Sequence, residues 1–97
     1  MATVVYAARV LPQLERALEI LESEDPQAAG AAAGAIGSAV ETLAAHPLLG
    51  RRVHGDTREL VISYGQTGYI ALYRFVIRQD EVRVLAIRNQ REIGFLP

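Results

Sequence analysis

The sequence predicts an α+β fold, in which an N-terminal strand and an antiparallel two-helix hairpin are followed by a three-stranded antiparallel meander, forming one sheet. Two observations predict it. Apolar residues recur at helical spacing in the first half of the chain, and they alternate at strand spacing in the last third. Because 97 residues suffice for only one core, we expect a single domain over residues 1–97.

The first strand and the first helix are predicted from the N-terminal 24 residues. Thr3 to Tyr6 has strand composition. One apolar helix face then follows, made of Val10, Leu11, Leu14, Ala17, Leu18 and Leu21. Pro12 is tolerated only in a first turn, so this helix should begin near Arg9, without a good capping residue, and end around Glu24.

The second helix is predicted to start at Asp25-Pro26 and to run to about His46. Aspartate caps free amides and proline suits the first helical position. Its interior holds Gly30, Gly34 and Gly37, each of which costs about 1 kcal/mol relative to alanine. The spacing is similar to that of membrane association motifs, but we expect this stripe of small residues to pack closely inside the domain, against the first helix or the sheet.

The meander is predicted after a connecting loop at residues 47–57. Its strands should span residues 58–64, 69–78 and 81–88, with turns at 65–68 and at Gln79-Asp80, the latter a two-residue hairpin. Both faces of these strands are apolar in part. The two helices should therefore cover one face, and the C-terminal tail or a partner chain the other.

The composition restricts the kinds of site and partner that the chain can have. The chain has no cysteine, and His46 and His54 are too few for a histidine site, so we expect no metal and no cofactor. No segment resembles a signal peptide or spans a bilayer, which predicts a cytoplasmic protein without membrane contact. Residues 1–50 hold two arginines and six acids, whereas residues 51–97 hold eight arginines and five acids. The second half should therefore meet an anionic partner.

Several short motifs, in this order, resemble those of the RelE/ParE toxin superfamily, and ParE-like members most: Leu48-Leu-Gly50-Arg51, Arg58-Glu59-Leu60, Gly68-Tyr69, Leu72-Tyr73-Arg74 and Ile87-Arg88-Asn-Gln-Arg91-Glu92. The resemblance covers the whole chain. It implies the toxin of a type II toxin-antitoxin pair, of the kind also called plasmid stabilisation proteins. A cognate antitoxin would neutralise it, and operator DNA would be contacted only through the antitoxin complex.

The resemblance leaves the cellular target open. RelE-like members cut messenger RNA on the ribosome without a metal, whereas ParE-like members inhibit DNA gyrase. The chain has Ile70 where RelE-type enzymes have a catalytic arginine, Asn89 where many relatives have histidine, and Phe95 where some nucleases have tyrosine. We therefore favour gyrase inhibition by binding. The alternatives are a ribosome-dependent mRNA endonuclease and a degenerate, non-toxic member that acts as an interaction partner.

No catalytic residue is assigned, but seven candidates could bind a target or stabilise charge: Arg58, Tyr69, Tyr73, Arg74, Arg88, Arg91 and Glu92. Each also has a structural explanation. Arginines at the end of a strand are also common as solvated surface residues. Arg74 should form a salt bridge with a carboxylate such as Glu59 or Glu92. Tyr69 and Tyr73 share one strand face, where they can pack in the core or contact a partner.

Overall fold

The computed structural model describes residues 1–65 and 67–90, which form two helices and five strands. The strands are β1 (Thr3–Tyr6), β2 (Arg51–His54), β3 (Thr57–Tyr64), β4 (Thr67–Val76) and β5 (Glu81–Asn89). The helices are α1 (Val10–Glu24) and α2 (Pro26–Glu41), and short 3₁₀ turns follow at Thr42–Ala44 and Ile77–Gln79. Among these residues no helix has the length and hydropathy that crossing a membrane requires.

The strands form one sheet in the order β1-β5-β4-β3-β2, which confirms the predicted α+β class. β1 runs parallel to β5, and the other neighbours are antiparallel. The prediction of a loop over residues 47–57 is wrong in part, because β2 lies there and pairs with β3 through Arg51↔Glu59 and Arg52↔Arg58. All of β2 is exposed, so it lacks the apolar alternation that marks a half-buried strand.

Both helices begin where the sequence predicts. Arg9 precedes α1 without a side-chain cap, whereas the Asp25 carboxylate accepts a hydrogen bond of 3.2 Å from the Ala28 amide at the start of α2. α2 ends at Glu41 rather than near His46, because the chain tightens into the 3₁₀ turn. The hairpin covers one face of the sheet, which we call the inner face.

The core lies between this hairpin and the inner face. The helical half contributes Ile36, Val40 and Leu43, all at most 2% exposed. The sheet contributes buried side chains from its three central strands: Ile62, Tyr69, Ala71, Tyr73, Val82, Val84 and Ile87. The opposite face, which we call the outer face, therefore points away from the helices.

The glycine stripe of α2 does not pack as the sequence predicted. Apart from its chain neighbours and the backbone of α2 itself, a Cβ atom placed on Gly30, Gly34 or Gly37 would meet no atom within 4 Å. The expectation that these three glycines pack closely inside the domain is therefore wrong for the part of the chain that the structure describes. The glycines leave open space along one side of α2 instead.

Alanine at Gly30 or at Gly34 should therefore stabilise the chain. Each substitution adds a methyl group into open space and removes the glycine penalty, so the free energy of unfolding should rise by about 0.5 to 1 kcal/mol per site. Urea denaturation of the single and double variants measures this. A loss of stability at either site would mean that the stripe is packed after all.

Candidate functional site

Strand register places three arginines on the outer face. Arg74 of β4 lies directly opposite Arg83 of β5, and Ile70 of β4 lies opposite Arg88. Residues that face each other across neighbouring strands share a side of the sheet, as do alternate residues within a strand. Ile70 and Arg74 are four residues apart and so share one face of β4, which puts Arg74, Arg83 and Arg88 together. This is the outer face, because the alternating residues Tyr69 and Tyr73 are buried in the core, and from here on we call it the arginine face.

A β-bulge in β5 makes this arrangement possible. Leu72 pairs with Ala86 and Tyr73 pairs with Val84, so Leu85 has no opposite residue in β4. Arg83 and Arg88 are five residues apart and would point to opposite faces of a regular strand. The bulge adds one residue between them and thereby turns both to the same face.

Carboxylates accompany most of these cations. Arg74 forms an ion pair of 3.1 Å with Asp56, and Arg83 pairs with Glu81. Arg51 of β2, whose register partner is Glu59, forms an ion pair with that residue. The predicted partner of Arg74 was Glu59 or Glu92; the structure gives Asp56 in its place, and Glu92 lies outside the described residues.

The centre of the arginine face is apolar. Across neighbouring strands, Val61 lies opposite Ile70, and Leu72 lies opposite Ala86. Charged groups therefore surround an aliphatic strip. The Arg74 Nε atom is buried without a hydrogen-bond partner among the described residues, so this guanidinium has an unused donor. Leu72 and Ala86 are buried, at 6% and 8% exposed, whereas Val61 is 52% exposed, so a partner could contact Val61 and the charged groups around the strip.

The other predicted site residues lie elsewhere. Arg58 is on the inner side, where its guanidinium donates to the carbonyl oxygen of Gly50 at 2.8 Å and to that of Leu48 at 3.3 Å. Tyr69 and Tyr73 are both 0% exposed, so core packing describes them and neither can touch a partner at the surface. Arg91 and Glu92 lie outside the described residues.

Burial also keeps the tyrosine hydroxyls protonated. It raises the pKa of Tyr69, to which Tyr64 adds a smaller effect. It also raises the pKa of Tyr73, against the opposing effects of the Gly50 amide and Arg58. Neither phenol can therefore serve as a general base near neutral pH. The described residues also contain no cluster of three histidine or acidic side chains that could hold a metal ion.

Sequence reasoning missed Arg83 and Arg51 as members of the arginine face. A two-residue turn at Gln79-Asp80 would have set Arg74 opposite Leu85, two residues out of the observed register. The chain uses the 3₁₀ turn Ile77–Gln79 instead, closed by Asp80 in the left-handed conformation at φ 48°. Aspartate tolerates the left-handed conformation better than most residues, so Asp80 was the feature of the sequence from which the longer turn could have been predicted.

A second candidate surface is an apolar groove of about 420 Å³ beside α1 and α2, which we call the helical groove. Its lining is mostly apolar and contains no charged side chain: Tyr6, Ala7, Ala8, Val10, Leu11, Leu14, Ala33, Ile36, Gly37 and Ile87. Leu11 is 65% exposed and Tyr6 is 46% exposed, so the groove is open to solvent. The open glycine stripe enters it at Gly37.

Acidic residues flank the helical groove. The pKa of Tyr6 is raised by burial and, to a smaller extent, by the negative charge of Glu41. Glu15 follows Leu11 by one helical turn and so lies on the same side of α1. This distribution matches the excess of acids in residues 1–50. A segment that fills the groove should therefore be apolar on one side and basic at its flanks.

Comparison with known proteins gives one family match and similar relatives. A family model described as "ParE toxin of type II toxin-antitoxin system, parDE" matches residues 4–94. Toxin RelE3 of Caulobacter vibrioides is 36% identical over 92 residues, which cover 95% of this chain and 98% of the relative. Toxin RelE1 of the same organism is 32% identical over 74 residues, covering 76% of this chain and 80% of the relative.

A solved toxin-antitoxin structure has a similar fold. A chain in the crystal structure of the intact E. coli RelBE toxin-antitoxin complex aligns with a TM-score of 0.63, covering 95% of this chain and 100% of that chain. Sequence identity is 10%, so the likeness is one of fold.

Proposed function

The chain belongs to the ParE toxin family of type II toxin-antitoxin systems, within the RelE/ParE superfamily, and from this premise we propose that it arrests growth by binding DNA gyrase. The observation that carries the proposal is the apolar centre of the arginine face. Metal-free cleavage of RNA needs a base, a charge donor and an acid converging on one phosphate. Ile70 and Leu72 occupy the centre where such groups would have to meet.

Two further observations favour binding over hydrolysis. Carboxylates pair with Arg51, Arg74 and Arg83, which reduces the positive potential that a phosphate would meet. By resemblance, Ile70 also stands where RelE-type enzymes carry a catalytic arginine, and Arg88 lies directly across from it. A protein surface with apolar and acidic residues suits this face better than an RNA backbone.

Ribosome-dependent mRNA cleavage is the second candidate, favoured by one observation. Two relatives that are 36% and 32% identical bear the name RelE. The third hypothesis is that the chain is a family member that has lost its toxicity, and the experiment below tests it as well.

The helical groove is the surface we assign to the cognate antitoxin. Leu11 and Tyr6 are exposed there, and Gly37 leaves room for a close approach of another backbone. An antitoxin helix with an apolar side and basic flanks would bury this surface between the acids on either side. This assignment differs from our expectation from the sequence, which put the C-terminal tail or a partner chain on the second sheet face.

Expression without antitoxin in a bacterial host, followed by assays on the purified chain, tests the target. We expect growth arrest, inhibition of gyrase supercoiling and intact mRNA. Cleaved mRNA with normal supercoiling would replace the proposal with the nuclease. Normal growth at a confirmed level of folded protein would indicate the non-toxic member.

Arg74→Ala combined with Arg88→Ala should weaken gyrase inhibition by about tenfold or more, because both arginines lie on the face that we assign to the target. Arg78→Ala is the matched control, since Arg78 is exposed in the turn after β4. The inhibitory concentration in a supercoiling assay is the readout. Full inhibition by a stably folded double variant would remove both arginines from the mechanism.

A further inference from the structure

Two adjacent leucines are presented to solvent by a short loop before β2. Leu48 is 59% exposed and Leu49 is 58% exposed, and together with Pro47 and Gly50 they form the segment that we call the leucine loop. Neither leucine lines the helical groove. Adjacent large apolar side chains at this exposure form a patch of the kind that mediates protein contacts.

The fold holds this loop rigidly from the inside. The Gly50 amide donates a hydrogen bond of 2.7 Å to the hydroxyl of Tyr73, which is 0% exposed. The Arg58 guanidinium donates to the carbonyl oxygens of Gly50 and Leu48. Inside the loop, the Leu49 amide donates to the His46 carbonyl oxygen at 3.1 Å. One buried hydroxyl, the half-buried Arg58 guanidinium and the His46 carbonyl oxygen thus hold the backbone on both sides of exposed leucines, which lowers the entropy lost on binding.

The loop continues into the arginine face. Arg51 follows Gly50 directly, and its register partner Glu59 lies opposite Leu72 on that face. Arg52 comes next, and both of these arginines are exposed. Leucine side chains can neither hydrogen-bond to base edges nor stack on them as aromatic rings do, which favours a protein over a nucleic acid as partner.

We propose that the leucine loop inserts Leu48 and Leu49 into an apolar pocket, bordered by carboxylates, on the protein that the toxin inhibits. The inference rests on the proposed function, since it names the part of the toxin that contacts the target. Tyr73 and Arg58 are positioning residues for the loop: they hold its backbone from inside the fold without touching the partner themselves.

The double variant Leu48→Ser, Leu49→Ser tests the contact. Because both side chains are exposed, we expect unchanged thermal unfolding, unchanged antitoxin binding, and a loss of about tenfold or more in gyrase inhibition. Ile20→Ser is the matched control, because Ile20 of α1 is 74% exposed and lies outside the loop. The control variant should inhibit as the wild type does.

Tyr73→Phe tests the positioning role, because it removes the hydroxyl that accepts from Gly50 while keeping the ring in the core. We expect weaker gyrase inhibition with both leucines still present, and unchanged binding of the antitoxin in the helical groove. Loss of both activities together would mean general unfolding and would overturn the positioning role.

The outcomes separate this inference from the choice of target. Full gyrase inhibition by the folded leucine variant would overturn the inference and leave the gyrase proposal intact. If the wild-type chain cuts mRNA, the gyrase proposal fails; loss of cleavage in the leucine variant would then support the loop as the target contact, and full cleavage would overturn it. A wild-type chain that inhibits nothing would overturn both.

Discussion

Replacing Gly50 with alanine should lower the free energy of unfolding by about 3 kcal/mol, because overpacking and a lost buried hydrogen bond would act together. A Cβ atom at this position would lie 2.6 Å from the Glu59 carbonyl oxygen and 2.7 Å from the Tyr73 hydroxyl. The first neighbour is backbone and the second belongs to a fully buried ring, so neither can move without disturbing β3 or the core.

Urea denaturation at matched protein concentration measures the loss. Gly34→Ala is the control, because it makes the same chemical change where the new methyl group meets no atom within 4 Å, and it should stabilise the chain. The opposite signs expected at the two glycines make the comparison sharp. Equal stability of Gly50→Ala and the wild type would show that the leucine loop is not held as tightly as its hydrogen bonds imply.

The contrast between these glycines also shows where sequence reasoning succeeds. Apolar periodicity and the Asp25-Pro26 signal locate both helices, because helix starts depend on local chemistry. The same local reasoning assigned tight packing to Gly30, Gly34 and Gly37, where the structure leaves open space. Gly50, where a Cβ atom has no room, gives no local signal, because its neighbours Glu59 and Tyr73 are distant in sequence.

The arginine face was predictable only in part, for a related reason. Alternation alone put Tyr69 and Tyr73 on one face of β4 and Arg74 on the other, and the family resemblance was carried by the motifs around them. The meeting of Arg74 with Arg83 depends on the length of one turn, and the orientation of Arg88 depends on one bulge. The turn shifts the register by two residues and the bulge adds one residue to β5, and alternation reports neither change.

Replacing Gly37 with leucine should prevent neutralisation by the antitoxin while leaving the fold intact. Gly37 lines the helical groove, and a Cβ atom there has open space around it, so we expect the new side chain to extend into the groove. Leucine is also favoured over glycine in a helix by about 0.5 to 1 kcal/mol, so the variant should be at least as stable as the wild type. A helix docked there would be displaced, and antitoxin affinity should fall by about 100-fold.

Titration of the purified variant with the cognate antitoxin measures this affinity, and co-expression shows whether growth is still protected. Gly30→Leu is the matched control: it makes the same change on the same helix, at a position outside the groove lining, and should bind as the wild type does. Because Gly37→Leu leaves the arginine face and the leucine loop unchanged, the variant should still inhibit its target. If Gly37→Leu folds stably and still inhibits the target but is no longer neutralised, the antitoxin binds in the helical groove. If the antitoxin still protects growth against both Gly37→Leu and Gly30→Leu, it binds to another surface.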